Sequence, residues 1–172
     1  MAKLPTLKKS EIDQVVTLAI AKIKKWTDKE ITKLSFKEGR PQCLHLTDDH
    51  FRVGNHTIKK VNEGCWRLSY DETDYDFMFK TSAINWSLAK QLHLFELATS
   101  LKYADQQYAV HYADFVLFKA RLETALKKGD TWDIQRYEAR KKQSQTRYLE
   151  ANARLQKCMR NAKYYKLIGN PS

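Results

Sequence analysis

From Ser82 to Lys128, apolar residues recur every seven positions at Leu94, Leu101, Tyr108, Phe115 and Leu122. Three residues after each come Leu97, Ala104, His111, Phe118 and Ala125. This is a heptad seam, because two positions in seven stay against a partner helix when the winding is close to 3.5 residues per turn. Gly129 and Asp130 interrupt it. A second stripe then runs through Ile134, Tyr137, Ser144, Tyr148, Ala151, Leu155, Cys158, Ala162 and Tyr165, with Lys141 interrupting it. Between Ser82 and Ile168 there is no proline and no other glycine. The pattern predicts helices of roughly 70 Å and 55 Å at 1.5 Å per residue, folded back on each other as an antiparallel hairpin at Gly129-Asp130. Asp130 as N-cap and Asp133 three residues on restart the helix and complement its dipole. The second stripe is built of small and aromatic residues. Against it, some of Leu94, Leu97, Leu101, Phe115, Phe118 and Leu122 are expected to remain available to another subunit. Polar residues crowd Tyr103 to Gln107, and the pattern leaves open whether the first helix breaks there.

Upstream, Ile12, Val15, Val16, Ala19, Ile23, Trp26, Ile31 and Leu34 lie near helical spacing after Ser10 and Asp13, a cap and its acid. They predict an amphipathic helix over 11–34, with Lys22, Lys25, Lys29 and Lys33 on its polar face. Residues 1–9 read as a short basic tail. Gly39 and Pro41 then open a stretch of short apolar alternations: Leu44 and Leu46, Phe51 and Val53, Ile58 and Val61, Trp66 and Leu68, Phe77 and Phe79. Gly54-Asn55, Asn62-Glu63-Gly64 and Asp71 to Asp74 separate them as turn signals. A three- or four-stranded antiparallel meander is expected, covered on one face by the N-terminal helix or by the base of the hairpin. Thr81 or Ser82 is the expected cap of the helix that follows. The fold class read from these elements is α+β: an N-terminal helix and meander over 1–81, and a long helical hairpin over 82–172, as one continuous unit.

Charge changes the picture more than composition does. With 42% hydrophobic residues the chain has enough apolar area to fold. Its 31 lysines and arginines against 20 acids give a net charge of +11, which points to nucleic acid, an anionic membrane or an acidic protein as partner. Residues 131–168 carry +7 of this, whereas 82–128 carry +2. Arg140, Arg147 and Arg154 repeat every seven residues, and Arg136, Lys142, Lys157, Arg160, Lys163 and Lys166 extend the row. A stripe of this kind follows a phosphate backbone. The competing reading is a solvated face that keeps the hairpin soluble, although Asp133, Glu138 and Glu150 are too few to offset ten basic residues. Of the interleaved aromatics, Trp132, Tyr137, Tyr148 and Tyr165 are assigned to the seam, and Tyr164 to the surface.

Catalytic chemistry finds little footing. Cys43, His45, His50 and His56 have no zinc-site spacing. His111 lies on the seam, where a polar partner such as a tyrosine is expected. Asp71, Glu72, Asp74 and Asp76 beside Lys80 read as an acidic turn, not as the converging carboxylates of a metal-dependent nuclease. No phosphate-binding loop, nucleophile elbow or metalloprotease helix motif is present. No catalytic residue, metal or cofactor is therefore assigned. Three cysteines at wide spacing are expected to be free, as in a reducing compartment. No stretch approaches the ~20 apolar residues of a membrane span.

Gly54-Asn55-His56-Thr57-Ile58, Trp66-Arg67-Leu68, Phe77 to Lys80 and Ser82-Ala83-Ile84 form a meander that feeds directly into the hairpin. In this, residues 50–168 resemble small uncharacterised proteins encoded by contractile-tailed marine bacteriophages. The resemblance implies a viral protein made in a bacterial cytosol, acting there or in the virion, and carries over no functional residue. The reading from the residues is a non-catalytic basic protein whose C-terminal helix contacts DNA or RNA phosphates or an acidic protein surface. Its rival is an oligomeric scaffold component of a larger assembly such as a virion.

Overall fold

The structure, a computed structural model, describes residues 27–164. It is α+β, as expected. Helix α1 (Asp28–Leu34) leads into a short hairpin of β1 (Phe36–Lys37) and β2 (Arg40–Pro41). Strands β3 (Cys43–Thr47), β4 (His50–Val53), β5 (His56–Asn62), β6 (Cys65–Tyr70) and β7 (Thr73–Phe77) then form an antiparallel sheet in sequential order. Helices α2 (Lys80–Gln91), α3 (Phe95–Lys128) and α4 (Thr131–Tyr164) complete it. Of the helix expected over 11–34, residues 11–26 lie outside the described residues. A single helix through 34 is nonetheless overturned at Thr27, whose backbone is extended (φ −68°, ψ 158°) and opens α1 through a capping box with Glu30. That signal, Thr-x-x-Glu, stands in the sequence and local chemistry outweighs the periodicity there.

The meander has five strands, one or two more than expected. Besides the turns at Gly54-Asn55, Glu63-Gly64 and Asp71-Glu72, Asp48-Asp49 reverses the chain between β3 and β4. Alternation along the strands sends Phe51, Val53, His56, Ile58, Leu68 and Phe77 to one buried face. Helix α2 covers it with Ala83, Trp86 and Ala89, while Arg67, Ser69 and Asp74 face outward. Phe79, expected as strand, is the N-cap of α2 and has no side-chain hydrogen bond in that role.

Neither Thr81 nor Ser82 caps that helix. Asp105, ten residues into α3 and almost fully buried, accepts hydrogen bonds from the backbone N–H of Met78 (2.8 Å) and Phe79 (3.4 Å). The carboxylate supplies the negative end that a helix N-terminus favours. The polar crowding at Tyr103 to Gln107 therefore marks a long-range cap, and α3 runs through it unbroken. The chain breaks earlier, between Leu92 and Leu94, where His93 adopts φ +60°. This divides the helical segment expected from Ser82 to Lys128 into α2, which stays on the sheet, and α3, which leaves it.

Helices α3 and α4 are 34 residues each, about 50 Å long, and reverse at Gly129-Asp130 as expected. Gly129 takes φ +70°, and Asp130 Oδ1 accepts from the N–H of Trp132 and Asp133, both at 3.1 Å. The α4 stripe from Ile134 to Ala162 faces α3 along its whole length, every member buried or half-buried. Tyr148 lies against Tyr108, Tyr112 and Phe115 in the middle of the seam. His111 is half-buried, and no hydrogen-bond partner reaches its Nδ1 among the described residues. Of the bulky seam residues, Leu101 and Leu122 are buried and Leu97, Phe115 and Phe118 half-buried. At the base, Ala98, Leu101 and Ala162 join α2 and the sheet in one apolar cluster.

Candidate functional site

Because the stripe of α4 is turned into the hairpin, its remaining faces meet solvent. Arg136, Arg140, Arg147, Arg154 and Lys157 follow one another at steps of three, four or seven residues, so they share one side of the helix. All five are exposed. Arg140, Arg147 and Arg154 stand roughly 10 Å apart along the axis, and the whole row spans roughly 30 Å. Gln143 and Glu150 occupy the intervening positions of that side. Arg160 flanks the row. Lys142 is also exposed but points elsewhere, bordering a shallow groove with Gln135, Glu138 and Gln145. The side chain of Lys163 and the whole of Lys166 lie outside the described residues. Among the described residues, no salt bridge involves a side chain of α4.

At the tip, guanidinium groups gather over aromatic rings from both arms. Arg136 lies 5.1 Å from the Trp132 ring and 5.7 Å from Tyr137, Arg121 of α3 lies 6.0 Å from Tyr137 on a different approach, and Arg140 lies 5.6 Å from Phe118. Such contacts hold the planar cations against the surface while leaving their edges open to anions. Trp132 was expected in the seam, yet it is 66% exposed. It occupies the first turn of α4 on the side that carries Arg136, four residues on, and not on the stripe that faces α3. Arg121 was not singled out from sequence, since only the antiparallel closure carries it across to Tyr137.

The other chemistry-bearing residues are engaged structurally. Asp76 receives Arg67 Nε at 2.8 Å and Nη2 at 3.0 Å on the outer sheet face, and the guanidinium lowers the Asp76 carboxyl below its ordinary pKa. Asp74 accepts from Ser69 at 2.6 Å, while Asp71 and Glu72 make the turn itself at positive φ. Lys80 does not join these acids but lies over the rings of Phe51 and Trp66. His56 is buried against Tyr70 and Trp86, with its Nδ1 2.8 Å from Ser87 Oγ. His45 stacks on Phe51. Among the described residues no group of three or more His, Cys, Asp or Glu converges, and Cys43, Cys65 and Cys158 are free thiols. No described helix is long and apolar enough to cross a membrane. Comparison with known proteins finds no family model, no curated protein and no solved structure that matches the chain.

Proposed function

We propose that the protein is a non-catalytic binding protein whose helix α4 lies along the phosphates of a nucleic acid, without reading bases. The observation that carries this is the exposed row of Arg140, Arg147 and Arg154, extended by Arg136 and Lys157 and free of salt bridges among the described residues. A linear polyanion suits cations repeated at a constant axial step, and binding it releases the counterions condensed on its backbone. An acidic protein would need its carboxylates arranged along the same ~30 Å line. The Arg136–Trp132 stack at the tip adds an aromatic surface on which an unpaired base can rest. The reading places the protein in a cytosol, or in a virion if the phage resemblance holds.

The test is a titration against single- and double-stranded DNA and RNA at two salt concentrations, for wild type and for the triple variant Arg140→Gln, Arg147→Gln, Arg154→Gln. The variant keeps the fold, since none of the three faces the seam. Its affinity falls by a similar factor for every sequence, and the slope of log affinity against log salt becomes shallower by about two to three units. If wild type binds no nucleic acid at low salt, the proposal fails. A structural role in a larger assembly is the second reading, favoured by an uncharged outward face on α3.

A further inference from the structure

The side of α3 turned away from α4 carries a second heptad row. Tyr103, Val110 and Leu117 recur every seven residues, Ala113 and Ala120 follow Val110 and Leu117 by three, and Val116 lies alongside. These positions stand two residues after the seam residues Leu101, Tyr108 and Phe115, which places them roughly 200° around the helix. They are open to solvent: Tyr103 is 59% exposed, Val110 55%, Val116 47% and Leu117 44%, and both alanines are exposed. From Tyr103 to Thr124 no charged residue falls on the row itself. The exposed surface of α4 carries Arg136, Arg140, Arg147, Arg154 and Arg160, so the absence of charge is not a general property of this hairpin.

We propose that two copies of the chain meet on this face, α3 against α3, antiparallel about a two-fold axis. The row is self-complementary in that arrangement. The register that sets Leu117 on Ala113 of the second copy also sets Val110 on Ala120 of the second copy, so these two large side chains each meet a small one. The row runs roughly 30 Å along α3. Burying it on both copies removes roughly 1,000 Å² from water, the size at which specific interfaces begin. A phosphate backbone has nothing to gain from an uncharged surface, and a second copy supplies the matching knobs. The α4 arginine row is on the other helix of the hairpin, so this inference stands independently of nucleic-acid binding.

Sedimentation equilibrium of the full chain tests it, with Leu117→Glu as the variant. The wild-type mass rises with concentration from the 20.2 kDa of one chain to twice that value. L117E, with an unchanged helical circular dichroism signal, weakens association at least tenfold, the shift that one buried charge or one lost large contact produces. A single-chain mass at every concentration overturns the proposal. So does association that L117E leaves intact.

Discussion

The sheet-bearing base and the helical hairpin are held by different kinds of interaction. In the base, contacts are singular and cross long stretches of chain. Arg52 bridges α1 and the sheet through Thr32 and Thr57, both at 2.6 Å, and Asp28 at 3.2 Å. Gln91 of α2 donates to Val53 O at 2.8 Å and accepts from Asn55 N at 3.0 Å, clamping the β4–β5 turn. Asn85 donates to Met159 Sδ at 2.9 Å, which ties the end of α4 back to α2. In the hairpin, one contact type repeats every heptad and no single one is indispensable. A base of this kind fixes one geometry. A hairpin of this kind leaves its outward faces free to vary, and the arginine row and the uncharged α3 row both lie there.

The contrast is sharpest for large-to-small substitutions. Leu101, fully buried where α3 joins α2 and the sheet, should cost about 4 kcal/mol as Leu101→Ala, and Leu122→Ala, nearer the tip, about 2 kcal/mol. Urea denaturation measures both, and equal costs would erase the distinction. The next effect depends on pH. Burial, with Arg52 and Lys90 nearby, lowers the His56 pKa to about 4, against about 6.5 in the unfolded chain. The unfolded chain takes up this proton first as pH falls, so the His56 contribution is complete above pH 6.5. It declines toward pH 4 by roughly 3 kcal/mol. His56→Gln should flatten the stability profile across that window, and an unaltered profile would show that His56 is not the source.

Smaller effects probe the turns. Gly54 has φ +52°, and a Cβ there would lie 2.2 Å from Gln91 Oε1, in the clamp itself. Gly54→Ala should therefore destabilise by about 2 kcal/mol, from backbone strain and displaced hydrogen bonds, read as a lowered denaturation midpoint. At the hairpin reversal, Asp130→Ala loses a cap with two acceptor contacts and should cost about 1 kcal/mol. Amide hydrogen exchange should place that loss at the tip, with the base protected as before.

What was legible from the residues alone is what repeats or what acts between near neighbours. The heptad seam, the reversal at Gly129-Asp130, the inward stripe of α4 and its outward arginines all follow from spacing, because a helix converts sequence separation directly into direction. The Thr27–Glu30 capping box belongs to the same class, although periodicity concealed it. Tertiary structure decided the rest. Asp105 looks like a polar interruption until Met78 and Phe79, folded back from the sheet, present their N–H groups to it. His56 looks like a strand histidine until α2 brings Ser87 to it. The break at His93 arises where α2 must stay on the sheet while α3 leaves it, a demand no local propensity expresses. Even within the site, the count and spacing of arginines were readable, but the approach of Arg121 to Tyr137 depends on the antiparallel closure of the two arms. Such positions take their meaning from groups many residues away, and only the closed chain determines which groups those are.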